Sequence, residues 1–161
     1  MDLYLIRHAD ALALGERGIT DDEQRPLSEK GEEQAAAMGR FFKARGIAFD
    51  RIVSSPLVRA RQTAEIMLKA SGMDLEITLT DSLTPNARCK KLARYLMKTG
   101  GEKVALIGHL PHMADFTAWI IGGKKAQIEF AKAGVALVSS GDSPIKGNGV
   151  LHWLLTPDWF Q

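Results

Sequence analysis

Leu3-Tyr4-Leu5-Ile6-Arg7-His8, residues 3–8, is the stretch on which the fold turns. Four apolar residues follow one another without a polar interruption. This is the pattern of a strand covered on both faces, as in parallel sheets flanked by helices. The run stops at Arg7-His8, so polar chemistry sits at the end of the strand and not along it. Outward from there, residues 13–25 are polar, with Gly15, Gly18 and the acidic Asp21, Asp22 and Glu23. That segment reads as a solvated surface loop, with steering of partners the alternative role for its acids.

Arg25-Pro26-Leu27-Ser28 then leads into a long helical pattern. Ser28 is placed to cap it, Glu29 suits the first turn, and Ala35, Met38, Phe41 and Phe42 recur at helical spacing up to Gly46. Arg51-Ile52-Val53-Ser54 reads as a second strand, and Ser55-Pro56 as the start of a helix burying Leu57, Ala60, Ala64, Met67 and Leu68. A weaker strand is predicted over 75–79 and a helix over 87–97, ended by Gly100-Gly101. A buried strand over 103–107 and a helix over 112–121 follow, the latter ended by Gly122-Gly123. Strands at 135–138 and 150–155 form an antiparallel hairpin across a Gly/Ser/Asn-rich loop. The alternation of strand and helix implies an α/β fold. It is a three-layer α/β/α arrangement with a mostly parallel central sheet, the C-terminal hairpin added at its side, and no capping domain.

With 161 residues the chain suits a single catalytic domain spanning 1–161. Hydrophobic residues make up 45% and charged residues 25%, which excludes a disordered or fibrous protein. Twenty-one Lys and Arg against 19 Asp and Glu leave a net charge of +2, too small to imply nucleic acid or a membrane surface. The first apolar run is too short for a signal-peptide core, and no run approaches the ~20 apolar residues of a membrane span. A cytoplasmic monomer is the expectation. The single cysteine, Cys89, allows no internal disulfide. Lys90 and Lys91 beside it would lower its pKa, but it reads as a bystander thiol.

In open α/β sheets, ligands bind beyond the carboxyl ends of the strands. Three predicted strands end on unusual residues: Arg7-His8; Ser54-Ser55-Pro56 with Arg59 and Arg61 just beyond; and Gly108-His109. Two histidines, at least two arginines and a helix N-terminus would meet at one edge. Guanidinium groups match phosphoryl oxygens bidentately and stay charged at working pH. A helix N-terminus adds backbone donors, and a neutral imidazole offers a nucleophilic lone pair. Arg7 and Arg59 should lower the pKa of His8 and stabilise charge on a transferred group. No carboxylate cluster or second ligand pair points to a metal, so phosphoryl transfer without metal or other cofactor is expected. A lone histidine at a strand end is more often structural, and a first-turn arginine usually faces solvent; the combination is what carries the reading. His112 and His152 lack such company and are expected to be structural.

At these residues the sequence resembles the histidine phosphatase superfamily, also called phosphoglycerate mutase-like. Leu5-Ile6-Arg7-His8-Ala9-Asp10 is similar to its first motif, and Arg25-Pro26-Leu27-Ser28 with Gly31 and Gln34 to its capped-helix segment. The stretch from Ser54-Ser55-Pro56 through Arg59-Ala60-Arg61-Gln62-Thr63-Ala64 is similar to the second motif, and Gly108-His109 to the one bearing the second histidine. The resemblance implies that His8 is the nucleophile that becomes phosphorylated and that Arg7, Arg59 and His109 complete the phosphate pocket. Arg25, from the loop, and Ser55 are further substrate-binding candidates. Ala9 stands where the family usually has glycine, a position that needs only a small residue, and Asp10 where glutamate is common.

Members that act on alcohol phosphates generally carry a Glu or Asp proton donor in mid-chain, often on an inserted cap. Here that region reads Asp81-Ser82-Leu83-Thr84-Pro85-Asn86, with only Asp81 acidic. An alkoxide leaves poorly, since hydroxyl pKa values are on the order of water's 15.7. Imidazole, with a pKa of about 6.5, departs far more readily and hardly needs an acid. Chain length, Thr84-Pro85 and Gly108-His109-Leu110-Pro111 resemble the SixA-type branch, small phosphohistidine phosphatases that act on histidine-containing phosphotransfer (HPt) domains or phosphotransferase-system carriers. The alternatives are a small phosphatase for phosphoserine, phosphothreonine or a phosphorylated metabolite, using Asp81 or Asp10 as acid, and a phosphate-binding module without catalysis.

Overall fold

The computed structural model describes residues 1–123, 126–141 and 143–160. Its strands are β1 (Asp2–Arg7), β2 (Arg51–Ser54), β3 (Ile77–Leu79), β4 (Lys103–Gly108), β5 (Val135–Ser140) and β6 (Gly149–Leu155). Its helices are α1 (Glu29–Ala44), α2 (Val58–Ser71), α3 (Cys89–Thr99) and α4 (His112–Ile120). The strands form one sheet in the order β3-β2-β4-β1-β5-β6. β3, β2, β4 and β1 are mutually parallel, whereas β5 pairs antiparallel with both β1 and β6. The expected mostly parallel sheet with a C-terminal hairpin is therefore present. The loop joining the hairpin includes residue 142, which lies outside the described residues.

Alternation along β1 divides the core into two layers. Tyr4 and Ile6 pack with Met38 and Phe42 of α1 and Ala64 and Met67 of α2 on one side of the sheet. Leu3 and Leu5 pack with Leu92 and Leu96 of α3 and Phe116 and Ile120 of α4 on the other. All four β1 residues are buried, as their unbroken apolar run requires. The three-layer arrangement follows.

α1 begins as its sequence predicts, with the Ser28 hydroxyl accepting a hydrogen bond from Gly31 N at 3.1 Å. α2 begins two residues later than Ser55-Pro56 predicts, at Val58. Ser55 Oγ accepts from Leu57 N at a long 3.4 Å and lies 2.8 Å from His109, so this hydroxyl serves a turn and a neighbouring ring, not a helix cap. β3 is shorter than predicted, and α3 starts two residues later, because Ala87 N closes a turn onto Thr84 O first.

Two glycines of α1 set how closely it packs. A Cβ on Gly39 would lie 2.3 Å from Met67 O of α2, and one on Gly31 would lie 1.9 Å from Asp10 O. The second approach presses α1 onto the backbone just past His8. Gly31→Ala gains helix propensity but must move backbone against backbone. We expect a net loss of about 2 kcal/mol, within the usual range for overpacking, read as a lowered urea midpoint at unchanged slope.

Candidate active site

Parallel pairing brings the strand ends together. In register, Arg7 of β1 lies beside Gly108 of β4, and Ser54 of β2 beside Ile107. Beyond the ladder, His8 N donates to Gly108 O at 2.9 Å and Ser55 N to Ile107 O at 2.9 Å. On the other side, Ala133 N donates to His8 O at 3.1 Å. The backbone of His8 is thus pinned from both neighbours. Ala9 N donates to Thr63 Oγ1 at 3.1 Å, and that hydroxyl donates to Arg59 O at 2.7 Å, tying the His8 loop to α2. Ala9 is fully buried, in keeping with a position that admits only a small residue.

His8 Nδ1 lies 2.7 Å from Ala9 O. A carbonyl only accepts, so Nδ1 carries the proton and Nε2 keeps its lone pair. The ring's pKa is pushed down to about 4, chiefly by burial. The Ala9 hydrogen bond opposes the shift, while Arg59, Arg7 and Arg25 reinforce it. Burial, and not the arginines expected from the sequence, is the larger cause. His109 faces His8 with ring centroids 5.0 Å apart, its Nε2 2.8 Å from Ser55 Oγ. Burial, with His8 and Arg59 adding to it, pushes the His109 pKa down to about 2. Both rings are neutral at working pH.

Arg7 donates through Nη1 to Phe130 O at 2.7 Å. Arg59, 4% exposed, donates through Nη1 to Asp22 O at 2.6 Å and through Nη2 to Asp22 Oδ2 at 3.1 Å. Arg25 joins the rim, donating through Nε to Leu12 O at 2.6 Å and through Nη1 to Asp22 Oδ1 at 2.9 Å. Arg7 Nε, Arg59 Nε and His109 Nδ1 are buried without a hydrogen-bond partner among the described residues. An unsatisfied buried polar group costs about 1–3 kcal/mol. A cluster of them around the His8 ring suits an external acceptor. What the arrangement can do chemically is present a free imidazole lone pair to an electrophile whose oxygens the guanidiniums hold.

The remaining sequence-predicted residues lie as follows. Ser55 is fully buried, with its hydroxyl on His109. Arg61 points away from the cluster and pairs at the surface with Glu65 at 3.5 Å. Asp10 is committed to Lys132 and to Ser28 Oγ, the latter at 2.5 Å. Burial would raise its pKa, but those two partners hold it below the usual carboxylate range. Asp81 is itself exposed and starts a short turn whose Ser82 and Leu83 are buried, and among the described residues its carboxylate has no hydrogen bond or ion pair with either histidine. The thiol of Cys89 is pushed up, by burial first and then Asp115, so Lys90 and Lys91 do not activate it. His112 is buried, with both ring nitrogens unpartnered among the described residues, and it adds slightly to the lowering of the His109 pKa; His152 Nε2 lies 2.7 Å from Ser139 Oγ.

Asp22 is the residue that sequence reasoning missed. It reads as part of a solvated acidic loop, yet it reaches the buried Arg59. The available signal was its spacing, three residues before Arg25, which suits an ion pair across a single helical turn. No group of three or more potential metal ligands occurs among the described residues, and no helix there is long and apolar enough to cross a membrane.

The family model of the histidine phosphatase superfamily (branch 1) matches residues 3–84. An uncharacterized protein of Picosynechococcus sp. is 30% identical over 99% of this chain and 98% of its own length. Phosphohistidine phosphatase SixA of Escherichia coli K12 is 27% identical over 98% of this chain and 94% of its own. The solved structure of a protein histidine phosphatase SixA complexed with tungstate superposes with a TM-score of 0.87, at 25% identity over the whole of both chains.

The depressed histidine pKa values make a pH prediction. Below pH 6.5 the unfolded chain takes up protons on residues 8 and 109 that the native state refuses, so stability falls with falling pH, the His8 share down to about 4 and the His109 share on to about 2. In an NMR titration of the native protein, the His8 ring should titrate near pH 4 and His109 should stay neutral throughout; a midpoint near 6.5 for His8 would contradict the burial argument.

Proposed function

This chain belongs to the histidine phosphatase superfamily and is a phosphatase, and we propose that its substrate is phosphohistidine on a protein. The observation that carries this reading is the protonation state of the site. A neutral His8 offers its Nε2 lone pair among Arg7, Arg59 and His109, while the carboxylates nearest by, Asp22 and Asp10, are held ionised by their cationic partners. Such a site supplies a nucleophile and positive charge but no ready acid. That suits a leaving group which needs no acid from the enzyme, and an imidazole ring, whose other nitrogen solvent can protonate near neutral pH, is one.

In the proposed cycle, His8 Nε2 attacks phosphorus and the P–N bond of the substrate breaks. The substrate ring leaves as neutral imidazole, its other nitrogen having taken a proton from solvent before the P–N bond breaks. Water then attacks phospho-His8, releasing phosphate and restoring the free ring. Arg7, Arg59 and the His109 ring stabilise charge on the phosphoryl oxygens in both steps. Ser55 acts through His109 by holding its ring, and Arg25 contributes charge at the rim. The arginines provide the charge that a metal would otherwise supply, so no cofactor is needed.

The uncapped sheet edge lets a folded protein present its phosphorylated ring directly. We infer a partner of the phosphotransfer class, an HPt domain or a phosphotransferase-system carrier. Residues 1–161 would act as a single catalytic domain and as a monomer in the cytoplasm. Matches to SixA by sequence, across nearly the whole chain, and by structure, solved with a tetrahedral oxyanion, support the same reading.

The test is phosphate release from a radiolabelled phosphohistidine carrier, a phosphoserine peptide and 3-phosphoglycerate, each without added metal. Fast release from the carrier alone is expected; preference for either ester would overturn the substrate assignment. His8→Ala should lose at least about 10³-fold of the carrier rate, as nucleophile deletions do. Arg59→Ala should lose about 10²–10³-fold, the range for removing one charge-stabilising donor.

A further inference from the structure

Asp22 lies on a short helical turn, Asp22–Gln24, whose start is held by the Asp21 carboxylate accepting from Glu23 N at 2.9 Å. The foot of the loop is anchored separately, by Leu12 N on Pro26 O at 3.0 Å and Arg25 Nε on Leu12 O at 2.6 Å. Between these anchors Asp22 bridges two guanidiniums. One carboxylate oxygen takes Arg25 Nη1 at 2.9 Å and the other Arg59 Nη2 at 3.1 Å, while its carbonyl takes Arg59 Nη1 at 2.6 Å. The two side chains differ sharply in burial, with Arg59 at 5% exposed and Asp22 at 49%. A half-exposed anion thus sits on a buried cation from the solvent side.

A carboxylate and a phosphoryl group compete for the same fork of donors, since both offer two oxygens to one guanidinium. Two anions do not share that fork without strong repulsion. We propose that Asp22 is an internal competitor for the phosphoryl group: its carboxylate closes the Arg59 seat in the free protein and must swing out before a phosphorylated ligand takes those donors. The proposal rests on the reading that Arg59 receives the phosphoryl group, and it adds a consequence. Every ligand must displace Asp22, so a bare anion with no other contact binds weakly. A phosphoprotein meets the same cost but offsets it with further surface contacts. Asp22 therefore keeps the product, free phosphate, from occupying the site.

The test is calorimetric titration of the full chain with inorganic phosphate at fixed ionic strength. If Asp22 fills the seat about nine-tenths of the time, the apparent Kd of the native protein is about tenfold weaker than the open site allows. Asp22→Asn, which removes the charge and keeps the shape, should recover that factor, and Asp22→Ala should do at least as well. Arg59→Ala should lose phosphate binding. Unchanged or weaker binding by both Asp22 variants, with native melting temperatures, would show that Asp22 merely holds Arg59 in place, and overturns the proposal. Retained binding by Arg59→Ala would overturn both this proposal and the site. Tighter phosphate binding by the Asp22 variants, together with no turnover of a phosphohistidine carrier, would uphold the competitor and remove the substrate assignment alone.

Discussion

The parallel register of β1 on β4 is the constraint on which the site depends. It sets Arg7 against Gly108, and the next hydrogen bond, His8 N to Gly108 O, continues the ladder into the loops. Because β2 joins β4 in the same direction, Ser54 and Ser55 arrive at the same level. A slip of one residue would turn every side chain of β1 to the other face and bury Arg7 in the core. The apolar sets of β1, Tyr4 and Ile6 against α1 and α2, Leu3 and Leu5 against α3 and α4, forbid that slip. Packing of hydrocarbon thus fixes the position of an imidazole.

Burial then gives that imidazole its chemistry. A histidine in water would be partly protonated near neutral pH and would have no free lone pair in that form. At this sheet end the low-dielectric surroundings disfavour the charged ring, and three nearby arginines add to the effect. The arginines are themselves cations kept close together by backbone carbonyls and by Asp22. The arrangement is costly to the fold, with two histidines kept neutral and several donors left without partners. Like-charge crowding and unsatisfied donors are tolerable where an external anion relieves both. The same pressure explains why Asp22 is drawn onto Arg59, since an anion from the loop relieves part of it in the free protein.

Much of the site is legible in the sequence alone. Three strand ends carrying Arg7-His8, Ser54-Ser55 with Arg59 nearby, and Gly108-His109 pointed to one edge because open parallel sheets gather such ends. Ser28 as helix cap and the core stripe of α1 followed from local chemistry, and both are present. Local rules failed where a side chain had a stronger distant partner. Ser55-Pro56 has the form of a helix start, yet the Ser55 hydroxyl lies against His109 and α2 begins at Val58. Arg59 and Arg61 look alike in sequence, but a two-residue step along a helix puts one in the pocket and the other in solvent.

The sequence by itself determined the layers, the strand directions and the residue types at the edge. Those rest on periodicity and connectivity, which are properties of neighbouring positions along the chain. Only the tertiary structure decided which imidazole nitrogen is free, how far burial lowers the two histidine pKa values, and that an acidic loop residue occupies the arginine seat. These depend on distances and on the exclusion of water between segments far apart in sequence, such as Asp22 and Arg59 or Ser55 and His109. Electrostatic energy changes steeply with separation and dielectric, and neither can be read from the order of residues.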